Sequence, residues 1–286
     1  MVPGPIQILT TIASVRTLVR DARAEGKRVA LVPTMGALHD GHVELVRSAL
    51  ERADVVIASV FVNPMQFGPH EDLARYPRTP EADTDRLAEL GVTAVFMPSV
   101  DEMYPEGRSA TVVTAGHLGT VLEGRSRPGH FDGVLTVVAK LLSIVQPDVA
   151  VFGEKDAQQL FLVRRMVRDL DLPVEVLGVE TVREPDGLAL SSRNRFLQPG
   201  ERADALALSR ALAAAGAAAD RGVESMLAAA QAVWQDESGV QLDYLAIVDP
   251  RTFTGASDQH HGRVQVLVAA RVGTVRLIDN AVFTIP

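Results

Sequence analysis

Three short and almost wholly apolar runs set the first constraint on this chain. Val29-Ala30-Leu31-Val32, Val55-Val56-Ile57-Ala58-Ser59-Val60-Phe61-Val62 and Val149-Ala150-Val151-Phe152 are too continuous to alternate between a core and water. Strands buried on both faces read this way when helices cover a parallel sheet on each side. Segments of helical period lie between and around them. Thr11 to Glu25 carries Ile12, Val15, Leu18, Val19 and Ala22 at helical spacing and stops at Gly26. Helices are also predicted from Val43, from Thr79 or Pro80 to about Leu90, from Phe131 to Val145, and from about Ala157 to Leu170. Shorter strands are expected at 94–98, 110–114 and 174–179. Strands alternating with helices predict an α/β fold with a doubly wound parallel sheet.

The pattern changes near Thr181. An Ala-rich helix follows Pro199-Gly200, and another spans about Val223 to Gln235. Strand-like segments near 242–248, 263–269 and 274–278 then alternate with turn residues. The expected organisation is a first domain at 1–180 and a smaller C-terminal α+β domain with an antiparallel sheet at 181–286, hinged near 178–187.

A formal net charge of −8 over 286 residues argues against broad binding of nucleic acid or a membrane surface. With no cysteine, disulfides and thiolate metal sites are excluded. No apolar run is long enough to span a bilayer, and Met1-Val2-Pro3-Gly4-Pro5 lacks the basic start of a signal peptide, so a cytoplasmic location is expected. Basic residues gather at Arg125, Arg127 and His130, and again at Arg193 and Arg195, which suits a compact anion better than a polymer.

In a doubly wound sheet, ligands bind beyond the carboxyl ends of the strands. The first central run ends in Pro33-Thr34-Met35-Gly36-Ala37-Leu38-His39-Asp40-Gly41-His42, a turn carrying two histidines to a helix start. Unpaired amides and the helix dipole favour an anion there, and histidines add donors. A phosphate site is the reading these residues favour. A zinc pair at His39 and His42 would need a third ligand. Asn63-Pro64-Met65-Gln66-Phe67 and Gly153-Glu154-Lys155-Asp156 follow two other strands, so all three loops should converge on one crevice. Gln66 is well placed to hold a polar substrate, whereas Gln158 and Gln159 read equally as helix surface. The Arg125, Arg127 and His130 cluster reads equally as a solvated basic loop. Asp83 and Asp85 are either a solvated helix face or carboxylates reaching Mg²⁺ through water. Ser191-Ser192-Arg193 taken alone is ordinary turn composition.

Taken together and in order, these stretches resemble pantoate–β-alanine ligases. The resemblance rests on Pro33–His42, Phe61–Phe67, Tyr76-Pro77-Arg78-Thr79, Arg127-Pro128-Gly129-His130-Phe131, Phe152–Asp156 and Asp186–Asn194, and runs through nearly the whole chain. It implies a Rossmann-like domain of the HIGH-type nucleotidyltransferase superfamily, a C-terminal lid and a homodimer. The reaction implied is the attack of the pantoate carboxylate on the α-phosphorus of Mg-ATP, releasing pyrophosphate. The amine of β-alanine then attacks the pantoyl adenylate to give pantothenate and AMP. By the same resemblance His42 is catalytic. ATP is held by Met35, Gly36, Ala37, Leu38, His39, Asp40, Gly41 and His42, by Gly153, Glu154, Lys155 and Asp156, and by Val182, Leu190, Ser191, Ser192 and Arg193. Gln66 and Gln159 hold pantoate, with Gln66 also toward β-alanine, and no resident metal is implied beyond the Mg²⁺ that accompanies ATP. The chain departs from the family at Asp40 (usually Glu) and at Ala157 and Phe196 (commonly Tyr). Its rivals are a nucleotidyltransferase of the same superfamily and a non-catalytic nucleotide sensor. A tRNA ligase is disfavoured by the acidic balance.

Overall fold

A computed structural model describes residues 5–69, 71, 73–237 and 239–286. Met1–Gly4, on which most of the leader argument turns, lie outside the described residues. The chain divides into two compact units, one running to Glu154 and resuming at Leu162–Glu180, the other made of Lys155–Phe161 and Thr181–Pro286.

The first unit follows the predicted alternation. In chain order it contains β1 (Gln7–Leu9), α1 (Ile12–Ala24), β2 (Val29–Thr34), α2 (Asp40–Leu50), β3 (Val55–Val60), α3 (Pro80–Glu89) and β4 (Ala94–Phe96). Next come α4 (Val100–Met103), α5 (Glu123–Ser126), α6 (His130–Val145), β5 (Val149–Gly153), α7 (Ala157–Asp169, begun in the other unit) and β6 (Glu175–Val179). The sheet order is β1-β4-β3-β2-β5-β6, with every pairing parallel. The chain builds outward from β2 through β3 to β4, then crosses to β5 on the other side, so the switch point lies between β2 and β5.

Strand alternation sends Ala30, Val32, Val56, Ala58 and Val151 to a core shared with Leu45, Val46 and Ala49 of α2 and Leu87 of α3. Leu31 and Ile57, equally shut off from water, face the opposite way, toward the side on which α6 packs against β2. Each such side chain contributes about 1.5–3 kcal/mol by leaving water. One local expectation fails, and one strand forms where none was predicted. No strand forms at 110–114, because Val113 N–H donates to Thr136 Oγ1 and Ala115 N–H to Asp132 Oδ1, both on α6. The segment's amides are satisfied by helix side chains instead of a neighbouring strand. Conversely, β1 forms after the Pro-rich start, because a three-residue edge strand needs only the backbone of β4.

The second unit contains α8 (Pro199–Ala205), α9 (Ala207–Ala217), α10 (Val223–Val233) and the antiparallel sheet β7 (Val240–Val248), β8 (Gly262–Val272) and β9 (Val275–Ile285), with β8 central. Ala211 and Ala215 of α9 and Met226 and Ala230 of α10 join Val264, Val266, Val268 and Ala270 of β8 in its core. Small side chains bring α9 close to the sheet. A Cβ on Gly216 would lie 2.3 Å from the Phe283 ring.

Candidate active site

Adjacent strands β3, β2 and β5 each deliver a loop at the carboxyl edge of the sheet. The loop after β2 is held from several sides. Thr34 Oγ1 donates to Ser59 O at 2.7 Å and accepts from Gly36 N–H at 3.2 Å. Gly36 turns the chain at φ +81°, where a Cβ would come within 2.9 Å of Asp83 Oδ2 and 3.0 Å of Val60 Cγ1. Ala37 follows at φ 52°, a conformation unfavourable to a residue with a Cβ. Asp83 of α3, only 3% exposed, offsets that cost. Its Oδ2 accepts from Ala37 N–H at 2.9 Å and its Oδ1 from Leu38 N–H at 2.8 Å. Arg86, three residues on, donates to Leu38 O at 3.1 Å and pairs with Asp40. The solvated-face expectation therefore fits exposed Asp85 but not Asp83, and Asp83 commits both oxygens to the loop instead of facing a hydrated cation.

This loop sets the histidines at the start of α2. His39 occupies the N-cap in extended conformation, and its carbonyl accepts from His42 N–H at 2.8 Å and Val43 N–H at 3.2 Å. His39 N–H donates in turn to His42 Nδ1 at 3.2 Å, and the two rings lie 4.1 Å apart, tilted by 44°. With Nδ1 accepting, a neutral His42 carries its proton on Nε2 and presents a donor there. Among the described residues no group of three or more His, Asp or Glu side chains is gathered to hold a metal, so the zinc alternative lacks its third ligand.

The loop after β3 is a 3₁₀ turn, Pro64–Gln66, organised by Asn63. Asn63 is fully buried and uses both ends of its amide. Oδ1 accepts from Met65 N–H at 3.2 Å and from the Tyr104 hydroxyl at 2.9 Å, and Nδ2 donates to Gly133 O at 3.0 Å. Burial pushes the Tyr104 phenol up to about 12, which keeps it a donor. Gly133 lets α6 press on the turn, for a Cβ there would sit 2.1 Å from Met65 O. The Gln66 carbonyl accepts from His130 Nδ1 at 2.9 Å and Arg127 Nη2 at 3.4 Å. Arg127 also forks onto Glu71 at 2.9 and 2.6 Å and meets His130 Nε2 at 3.0 Å. The solvated-loop expectation thus holds for exposed Arg125 and fails for Arg127 and buried His130, which fasten the turn beneath Gln66.

The third loop ends β5 at Gly153-Glu154. In the second unit, Lys155 has its carbonyl held by Asn280 Nδ2 of β9 at 2.9 Å, and Gln265 Nε2 of β8 donates to Asn280 Oδ1 at 2.8 Å. Asp156 is exposed. Gln158 is buried at the start of α7, so surface is the wrong reading for it, and Gln159 is half-buried.

Val182 and Leu190 face each other in a short hairpin, with Leu190 N–H donating to Val182 O at 2.9 Å and Gly187 turning at φ +96°. Arg183 secures it, donating to Gly187 O at 3.1 Å and to both oxygens of buried Asp279 at 2.6 and 2.9 Å. Arg202 bridges Glu184 and Asp186 at 2.7 and 2.6 Å. The Asp186 carboxyl is held below the usual range, first by the Leu188 amide and then by Arg202. Ser191 Oγ accepts from Arg193 N–H at 3.2 Å, opening the 3₁₀ turn Ser192–Phe196.

The first unit thus assembles Met35–His42, Gln66, Gly153 and Glu154 at one edge of one sheet, whereas Lys155, Asp156, Gln159, Val182 and Leu190–Arg193 belong to the second. Reading the sequence named Asp83 and Asn63 without their supporting roles, and missed Glu71, Gly133, Arg183 and Asn280. Of the four missed, Gly133 left a local signal, a glycine inside a predicted helix.

Comparison with known proteins agrees with this architecture. A sequence model described as pantoate-beta-alanine ligase matches residues 7–282. A pantothenate synthetase of Leifsonia xyli subsp. xyli is 56% identical over 288 residues, covering 97% of this chain and 100% of that protein. One from a Nocardioides species is 58% identical over 271 residues, covering 92% and 81%. The crystal structure of pantothenate synthetase from Thermus thermophilus superposes with a TM-score of 0.91 at 49% identity, over 96% of this chain and 99% of that one. A pantoate-beta-alanine ligase from Francisella tularensis, crystallised with beta-gamma ATP and beta-alanine, gives 0.80 at 34% identity over 96% and 97%.

Proposed function

The chain belongs to the pantoate–β-alanine ligase family, and from that premise we propose that it joins pantoate to β-alanine using ATP. A pantoate carboxylate oxygen attacks the α-phosphorus, the bond to the bridging oxygen breaks, and pyrophosphate leaves. The β-alanine amine then attacks the acyl carbon, the acyl–phosphate bond breaks, AMP leaves, and the amine gives up a proton.

The observation that carries the reading is the family match over 7–282, joined to a histidine pair fixed at a helix start on the switch-point strand. We assign to His42 Nε2–H, with His39 beside it, donation to phosphate oxygens as charge builds in the transition state. Asp40, in place of the usual glutamate, is neutralised by Arg86 and adds little repulsion there. We further assign pantoate to Gln66 and Gln159, and the nucleotide to Met35–His42, Gly153–Asp156, Val182 and Leu190–Arg193. Mg²⁺ enters as part of the nucleotide substrate. A homodimer and a cytoplasmic location complete the proposal. Among the described residues no helix is long and apolar enough to cross a membrane.

The test is release of AMP and pyrophosphate from Mg-ATP with pantoate and β-alanine omitted in turn. A pyrophosphate burst on pantoate alone, with AMP needing both acids, is expected. ATP binding without turnover in any combination would leave a nucleotide sensor. Pyrophosphate release dependent on some other acceptor would leave a nucleotidyltransferase. His42→Ala is expected to slow the first half-reaction far more than it weakens ATP binding.

A further inference from the structure

We propose that Asp83, with Arg86 three residues along α3, is a positioning residue for His39 and His42, acting through the backbone of the Gly36–Leu38 turn. The kinetic part rests on the function proposed above; the geometric part does not. A carboxylate shut off from water is costly unless each oxygen finds a donor. Here the donors are two consecutive backbone amides, Ala37 N–H at 2.9 Å and Leu38 N–H at 2.8 Å, and the residue supplying the first sits at a positive φ. Consecutive amides pointing at one anion form the concavity that commonly receives a phosphate oxygen. In this chain Asp83 occupies it. With those two amides taken, Met35–Leu38 can line the nucleotide only by contact and by their remaining groups, and the hydrogen-bond donors for its phosphates lie one step further on, at the start of α2 and on the two imidazoles. Asp83 fixes the direction from which the chain enters α2, and so fixes the His39 N–H that donates to His42 Nδ1. Arg86 closes the clamp from the other side through Leu38 O and Asp40.

Asp83→Asn tests this with minimal change of shape. Asparagine keeps one acceptor but turns an NH₂ toward the second amide, so one bond is lost and two donors oppose each other. The expected result is a kcat lowered on the order of 100-fold, the loss that a displacement near 1 Å produces, with the ATP KM changed less than about threefold. The ¹⁵N resonance of His42 Nδ1, which reports its acceptor role without any turnover, should shift in the same variant. Arg86→Gln, at a half-exposed site that threatens folding less, should move both readouts the same way, with kcat falling roughly 10-fold. A wild-type kcat and an unmoved His42 resonance in cooperatively folded Asp83→Asn would overturn the proposal. So would a lower ATP KM at unchanged kcat, which would make Asp83 only a repulsive charge behind the site. If Asp83→Asn fails to fold, unmoved readouts in Arg86→Gln overturn it. Should wild-type protein release no pyrophosphate with pantoate, the assigned reaction fails while the resonance comparison still decides the geometry.

Discussion

Replacing Gly133 by alanine is expected to disturb the Gln66 turn through a single methyl group. Its carbon would stand 2.1 Å from Met65 O, 2.5 Å from Met65 C and 2.9 Å from Gln66 N. Ordinary contact begins near 3.4 Å, so α6 and the turn must separate by roughly 1.3 Å. Backbone atoms lie on both sides of the clash, and neither can rotate away as a side chain would. Overpacking of this kind costs about 3 kcal/mol, and the better helix propensity of alanine returns about 1. A net loss near 2 kcal/mol corresponds to a Tm lower by about 4–8 °C. The same separation drags Gln66 from its place and strains the Asn63–Gly133 hydrogen bond. Pantoate-dependent pyrophosphate release at saturating ATP should then lose on the order of 100-fold in kcat/KM for pantoate. Gly200→Ala is the control, because a Cβ there meets nothing within 4 Å. A Gly133→Ala protein with unchanged Tm and unchanged pantoate kinetics would refute the reasoning from close approach.

Tyr104 gives a pH signature. Its phenol ionises near 12 in the folded protein against 10.0 ordinarily, so its contribution to stability is full below pH 10 and is lost as pH rises from 10 through 12. Urea unfolding of wild type and Tyr104→Phe across that window should converge with rising pH, and a constant difference would contradict it. Asn280→Ala removes the donor to Lys155 O and leaves Gln265 without its amide partner. We expect a loss of about 1–3 kcal/mol in chemical denaturation together with a raised KM for ATP, and an unaltered KM would detach Lys155 from the nucleotide. Arg127→Lys keeps the charge but cannot fork onto Glu71 while also meeting His130. A pantoate KM raised severalfold with little change in the ATP KM is expected in steady-state assays, and equal effects on both would point to general unfolding.

How much of this was legible in the sequence depended on distance along the chain. The apolar runs, the helix periods and the Gly/His turn are local patterns, and β2, β3, β5, α2 and α6 formed close to where those patterns put them. The antiparallel sheet near the end of the chain also formed where expected, except that β9 runs on to Ile285, well past the predicted 274–278. The support of the site is not local. Asp83 reaches back 46 residues to Ala37, Asn280 reaches back 125 to Lys155, and Arg183 finds Asp279 96 residues on. Nothing in the residues around an aspartate on an acidic helix tells whether its carboxyl faces water or a buried amide. Tertiary placement alone decides that. The absent strand at 110–114 teaches the same lesson in reverse, because a run of β-branched residues such as Thr111-Val112-Val113-Thr114 fits a pleat only if a neighbouring backbone is there to pair with it.

The anchoring of Lys155 by β9 also has a consequence for the order of events at the ribosome. A chain made from its N-terminus exposes Lys155 long before Asn280 exists, and β9 pairs only at the edge of its sheet. Until that strand emerges, the Lys155 carbonyl has water where Asn280 will stand, and Arg183 lacks its carboxylate. Nascent chains released short of β9 should therefore carry the parallel sheet and the histidine turn in place, yet leave the Lys155 carbonyl and the Val182–Leu190 hairpin without the side chains that tie them to the last strand.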